Sequence, residues 1–216
     1  MALEIEPANP SDASQFTEVF LAAFSDDFNR TMFPATPDVR EWLTKDFSES
    51  IARSLAESSH EVYLKVTDPS HGKLVAFAKW KRPVPAANLD RHDDSHTAGG
   101  EAAWPKSSDT ALCGRFFSEM DAQHQSWMGG RLHFYLDILA VHPSHQGRGL
   151  ASKLLKWGLV QADDQGVETY LTGSPSGKPM YIKYAFEVVG SFMPVPGHEH
   201  VCMIRSARGK EGLEQR

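Results

Sequence analysis

Between residues 133 and 165 the spacing of the apolar side chains changes once, and that change dictates the local architecture. From Phe134 to Val141 the even positions Phe134, Leu136, Ile138 and Ala140 are all apolar, the period of two with which a β-strand faces a core. Farther on, Leu150, Ala151, Leu154, Leu155 and Leu159 share one side only if the chain is helical. A strand and a helix that both bury a face against one sheet lie side by side, so the helix N-terminus sits beside the strand's end. The joint between them reads Gln146-Gly147-Arg148-Gly149-Leu150-Ala151. Its glycines allow main-chain N–H groups to turn toward an anion at the positive end of the helix dipole. The spacing therefore predicts a phosphate-holding turn.

Elsewhere the same periodicities predict a mixed order of elements. Ser11-Asp12 caps a helix with Phe16, Val19, Phe20, Ala23 and Phe24 on one face, and a second helix follows Pro37 with Trp42, Phe47, Ile51 and Leu55. Residues 62–66 and 74–80 read as a hairpin across Asp68-Pro69-Ser70-His71-Gly72. Residues 82–108 are too polar and too rich in proline and glycine to build a core and read as a loop excursion. A helix over 109–128 follows, stopped by Gly129-Gly130; then a strand over 131–141 and a helix over 147–165 that Gly166 terminates. Strands at 168–172, 186–192 and 199–204 and a short helix at 177–184 complete the pattern. Residues 1–206 are expected to form a single domain, with 207–216 a flexible tail.

Charge and cysteine content exclude several classes. Lys and Arg number 22 against 28 Asp and Glu, a formal charge of -6, which gives no field to attract a nucleic acid backbone. Cys113 and Cys202 have no finger or redox spacing. The N-terminus is acidic where a signal peptide is basic, and no apolar run of about 18 residues occurs. A soluble, cytoplasmic protein with no membrane partner is expected; monomer and homodimer both stay open. His142 and His145 are spaced as a ligand pair, but no carboxylate lies nearby in sequence, so loop polarity is the expected reading. His92, Asp93, Asp94 and His96 read as a solvent-facing run in the excursion. No metal is expected. Phe24, Phe28, Phe33 and Trp80 are read as core before they are read as an acceptor pocket.

Three general readings compete for the joint. A Walker loop requires Lys followed by Ser or Thr after its second glycine, and here Lys153 precedes Leu154. A dinucleotide fingerprint is nearer, since Glu168 lies about 20 residues on, but its third small position falls on Ser152 and the first half of the chain lacks alternating strands and helices. A turn with no ligand is the third. Beside these, Gln146-Gly147-Arg148-Gly149-Leu150-Ala151 resembles the Q/R-x-x-G-x-G/A signature of the GCN5-related N-acetyltransferases, and it follows a strand, "LDILAVHP", of the kind that family carries. The stretch "MYIKYAFEVVG", residues 180–190, resembles the family's C-terminal segment; the two motifs span residues 136 to 190 in the family's order.

The resemblance implies an α/β fold with a mixed, mostly antiparallel sheet and helices on both faces. It implies acetyl-CoA as co-substrate, held by Leu139, Ala140, Val141, Gln146, Gly147, Arg148, Gly149, Leu150, Ala151 and Ser152, with the amides of 147–151 on the pyrophosphate and 139–141 pairing with pantetheine. It implies direct acetyl transfer in a ternary complex to a primary amine, with a small-molecule acceptor preferred and a protein or peptide amine left open. Asp137, a carboxylate among apolar strand neighbours, is the candidate base; a salt bridge to Lys or Arg explains it equally well. Tyr181 matches the family tyrosine that protonates the departing thiolate, and the amide of Leu139 is the expected oxyanion donor. Ala185 stands where the family has glycine, and Lys178-Pro179 alters the helix entry. A non-catalytic coenzyme A binding module and a nicotinamide-dependent oxidoreductase built on Gly147-Arg148-Gly149 are the alternatives.

Overall fold

The computed structural model describes residues 3–84 and 104–208. Its strands are β1 (Ile5–Pro7), β2 (Glu61–Asp68), β3 (Lys73–Lys81), β4 (His133–Val141), β5 (Glu168–Gly173), β6 (Glu187–Val195) and β7 (His198–Arg205). Its helices are α1 (Ala13–Ala23), α2 (Asp27–Met32), α3 (Pro37–Ser54), α4 (Thr110–Met128), α5 (Leu150–Gln165) and α6 (Lys178–Lys183). The strands pair in the order β1-β2-β3-β4-β5-β7-β6. β4 and β5 run parallel, whereas β1 with β2, β2 with β3, β5 with β7 and β6 with β7 are antiparallel. This is the mixed, mostly antiparallel sheet that the resemblance implies.

Two local differences have physical causes. Helix α2 is too short to show a period; Asp26 caps it by accepting the Asn29 N–H at 3.0 Å, and it buries Phe28 and Met32. Helix α5 begins at Leu150 and not at Gly147, because Gly147 and Gly149 hold φ of +74° and +78°, outside the helical region. Of the excursion expected over 82–108, residues 85–103, with His92, Asp93, Asp94 and His96, lie outside the described residues, as do residues 209–216 of the expected tail.

Contacts group the chain into two compact units. The first takes in residues up to 81, 104–110 and 137–157. Its core is aromatic: Phe16 of α1 lies 4.4 Å from Phe77 of β3, 5.6 Å from Phe47 of α3 and 6.2 Å from Tyr63 of β2, measured between ring centroids. Each such ring taken from water contributes about 1.5–3 kcal/mol. Leu74 to Trp80 are all buried, so β3 is covered on both faces, and the Trp80 indole N–H donates to the Leu154 carbonyl at 3.3 Å. Residues 104–110 join this unit through Asp38, whose carboxylate accepts the Ser107 N–H at 3.0 Å and hydroxyl at 2.9 Å. The Thr36 hydroxyl, with Ser107, holds that carboxyl down at about 2.

The second unit holds α4, the first half of β4, the end of α5, α6 and β5 to β7. The His124 ring lies 4.6 Å from Tyr135 and 4.9 Å from Tyr170. At the other end, buried Arg205 grips buried Asp163 through two hydrogen bonds of 2.8 Å, and the Arg208 N–H adds a third at 2.7 Å. The tail expected to be flexible from residue 207 is thus tied down as far as Arg208. Among the described residues no helix is long and apolar enough to cross a membrane.

Candidate functional site

The joint between β4 and α5 is built by local bonds. The His142 N–H donates to the Val75 carbonyl at 2.8 Å, which fixes the exit from β4. A 3-10 turn, Pro143–His145, follows, and the Gln146 side-chain amide donates to the Val141 carbonyl at 3.2 Å. At Gly147 and Gly149 the backbone is left-handed, and a Cβ placed on either would meet nothing within 4 Å, so the requirement for glycine there is conformational and the space is open. The first helical bond runs from the Lys153 N–H to the Gly149 carbonyl at 3.0 Å. Among the described residues, the amides of Gly147, Arg148, Gly149, Leu150, Ala151 and Ser152 donate to no protein acceptor. Buried Leu150, Leu154 and Leu155 hold the helix in place. Consecutive free donors at a helix start are suited to a diphosphate. Arg148 is half exposed beside them, whereas the Lys153 ammonium is committed to the Leu3 carbonyl at 2.5 Å.

Upstream of the joint, the β4–β5 ladder covers His133–Leu136 against Glu168–Leu171. Leu139, Ala140 and Val141 are not part of it. A strand stretch with no ladder on its β5 side offers main-chain donors and acceptors there to an extended amide-bearing ligand.

Asp137 meets a partner that periodicity does not identify. Its Oδ2 lies 3.1 Å from the Lys79 ammonium, which also sits 2.6 Å from Glu61 Oε1 and 5.6 Å from the centre of the Tyr63 ring. Lys79 and Glu61 side chains are each 5% exposed and Asp137 20%, so Asp137 is the open end of a buried row. Desolvation alone would lower the pKa of Lys79; the charge of Asp137, with Tyr63 and Glu61, outweighs it, and the value is raised well above the ordinary 10.5. The salt bridge weighed for Asp137 therefore exists, to Lys79. A lysine inside the apolar run "LVAFAKWK" was the available signal, since a buried cation requires a counter-ion.

Tyr181 belongs to the second unit. Its ring is buried against Gly173 and Gly177, where a Cβ would approach ring carbons to 3.4 and 3.1 Å, and it meets Phe186 edge-on at 5.9 Å. Burial pushes its phenol above the ordinary value. Beyond α6, Ala185 has φ of +63°, the left-handed backbone that glycine adopts without cost. Ala185→Gly is expected to stabilise the protein by about 1 kcal/mol, seen as a higher urea midpoint at unchanged m-value.

His145, read as loop polarity for want of a nearby carboxylate, meets one 77 residues away: its Nε2 lies 3.1 Å from Asp68 Oδ2. The same oxygen is 3.8 Å from Arg148. The hairpin turn between β2 and β3 thereby touches the joint, a contact that only the fold produces.

A family model described as acetyltransferase (GNAT) family matches residues 21–184. An acetyltransferase of Stachybotrys chartarum is 33% identical over 92 residues, which is 41% of this chain and 39% of the relative, so the match spans about two fifths of that protein. Among solved structures, one titled histone acetyltransferase HPA2 and related acetyltransferase from Corynebacterium glutamicum aligns over 96% of this chain and 98% of its own, at 21% identity and a TM-score of 0.60. A mosquito arylalkylamine N-acetyltransferase like 5b aligns over 95% and 100%, at 13% identity and a TM-score of 0.60.

Proposed function

Given that the chain belongs to the acetyltransferase (GNAT) family, we propose that it moves the acetyl group of acetyl-CoA directly to a primary amine within a ternary complex. The observation that carries this reading is the run of six amides from Gly147 to Ser152 at the start of α5 with no protein acceptor among the described residues, the space beside Gly147 and Gly149 being open. The amides from Gly147 to Ala151 hold the diphosphate, with Gln146, Arg148 and Ser152 at the edges of that turn. Leu139, Ala140 and Val141, outside the β4–β5 ladder, pair with the pantetheine amides. The thioester supplies an activated acetyl group when bound.

This chain's own residues then handle protons and charge. Asp137 takes a proton from the acceptor ammonium so that a neutral amine attacks, and Lys79, 3.1 Å away, holds that carboxylate in position. The Leu139 N–H is the donor assigned to the developing oxyanion. Tyr181 gives its phenolic proton to the departing sulfur. A small-molecule amine is the first acceptor class, in keeping with the arylalkylamine substrate in the mosquito neighbour's name; a protein or peptide amine is the second.

Thiol release from acetyl-CoA, measured against a panel of small amines, amino sugars and peptides beside thermal shifts with coenzyme A, tests the reading. Stabilisation by coenzyme A with acetylation of one acceptor class is expected. Stabilisation without turnover on any acceptor replaces it with a binding module. Quenching of protein fluorescence by NADH, with none by coenzyme A, replaces it with an oxidoreductase.

A further inference from the structure

We propose that Asp68, His71 and His145 form a site for one divalent transition-metal ion of the zinc class, which fastens the β2–β3 hairpin turn to the β4–α5 joint. One ligand atom from each of the three residues lies within 4.8 Å of the others. Asp68 Oδ2 is 3.1 Å from His145 Nε2 and 3.8 Å from His71 Nε2. Ligands on a tetrahedral zinc at about 2.0–2.2 Å stand about 3.3–3.6 Å apart, so side-chain adjustments complete the set. Two imidazoles and a carboxylate, with water in the fourth position, suit zinc and its neighbours and not magnesium or calcium.

The hydrogen bonds around the cluster aim its ligand atoms at one another. Asp68 Oδ1 is occupied by the Ser70 N–H at 2.9 Å and hydroxyl at 2.7 Å, which hold the carboxyl well below its usual range and leave Oδ2 to face the histidines. His142 Nδ1 accepts the Ser144 N–H at 3.3 Å, and the Ser144 hydroxyl bridges His142 Nδ1 at 2.7 Å and His145 Nδ1 at 2.8 Å. With Nδ1 held by this bridge, Nε2 is the His145 atom that faces Asp68 Oδ2, at 3.1 Å.

His71 supplies the third ligand, bringing another nitrogen to the same oxygen. His71 Nδ1 accepts the Lys73 N–H at 3.2 Å, a bond that ligation through Nε2 gives up, so His71 is the weakest of the three ligands. Arg148 lies 3.8 Å from Asp68 Oδ2 with half its side chain exposed, and it swings outward as the ion takes over that oxygen. Side-chain exposures of 13% for Asp68, 42% for His71 and 13% for His145 leave a path from solvent.

The test uses the full chain without added histidines. Titration with Co2+ is expected to give the visible absorption of a tetrahedral site, saturating at one equivalent and displaced by Zn2+, with a higher Tm in Zn2+. Asp68→Asn and His145→Ala abolish the spectrum and the Tm increase, while His71→Ala weakens binding less. Ser144→Ala, which removes only the group that orients His145, weakens Zn2+ affinity about 10- to 100-fold and keeps the test open if the ligand variants fail to fold by circular dichroism. Absence of a saturable equivalent overturns the proposal. So does full binding retained by Asp68→Asn, His145→Ala or Ser144→Ala.

Discussion

Tyr181→Phe is expected to lower turnover about 10²- to 10⁴-fold, the range that a positioned general acid contributes, with the thermal shift on coenzyme A unchanged. The substitution removes one oxygen and keeps the ring, so the packing against Gly173, Gly177 and Phe186 survives. Burial raises the phenol's pKa, which keeps the proton in place across neutral pH. A thiolate released in the same apolar surroundings is penalised by the same desolvation, so acid and base shift in the same direction and transfer stays feasible. Steady-state thiol release, compared with coenzyme affinity for both proteins, separates lost chemistry from lost binding. Full turnover in the variant removes Tyr181 from the mechanism.

Lys79→Met is expected to destabilise the fold by about 3–5 kcal/mol, the cost of breaking a buried ion pair from one side. The methionine fills the volume but leaves Glu61 and Asp137, previously 2.6 and 3.1 Å from one ammonium, with that cation gone. Urea denaturation measures the loss. In the natural protein the pH dependence of this row lies at alkaline pH. Because the folded pKa of Lys79 stands well above 10.5, its contribution is whole below about 10.5 and is lost as pH rises through the folded value. A variant as stable as the natural protein at neutral pH contradicts the row of charges.

Legibility from sequence follows the range of the interactions. Strands β2, β3 and β5 to β7 and helices α1, α3, α4 and α6 lie within a few residues of their expected bounds, because period and capping are local. Helix α2 escaped because six residues make less than two turns, and its cap, Asp26, sits in a stretch rich in other polar residues. At the site, the open amides were legible and the neighbours of Asp137 were not. Residues 61 and 79 face the same way only because β2 and β3 pair with Tyr63 opposite Lys79. The loop-polarity reading of His145 depended on sequence distance, which says nothing about a hairpin turn folded back onto the joint.

The sequence by itself determined the strand, the two left-handed glycines and the helix that follows, since backbone dihedrals and apolar period depend on residues within one or two turns. Only tertiary structure decided that Lys79 neutralises Asp137, that one edge of the Tyr181 ring packs against Gly173 and Gly177, and that Asp68 faces His145. Each of those depends on the register and packing of distant segments, where charge and burial are properties of the surroundings and not of the residue alone.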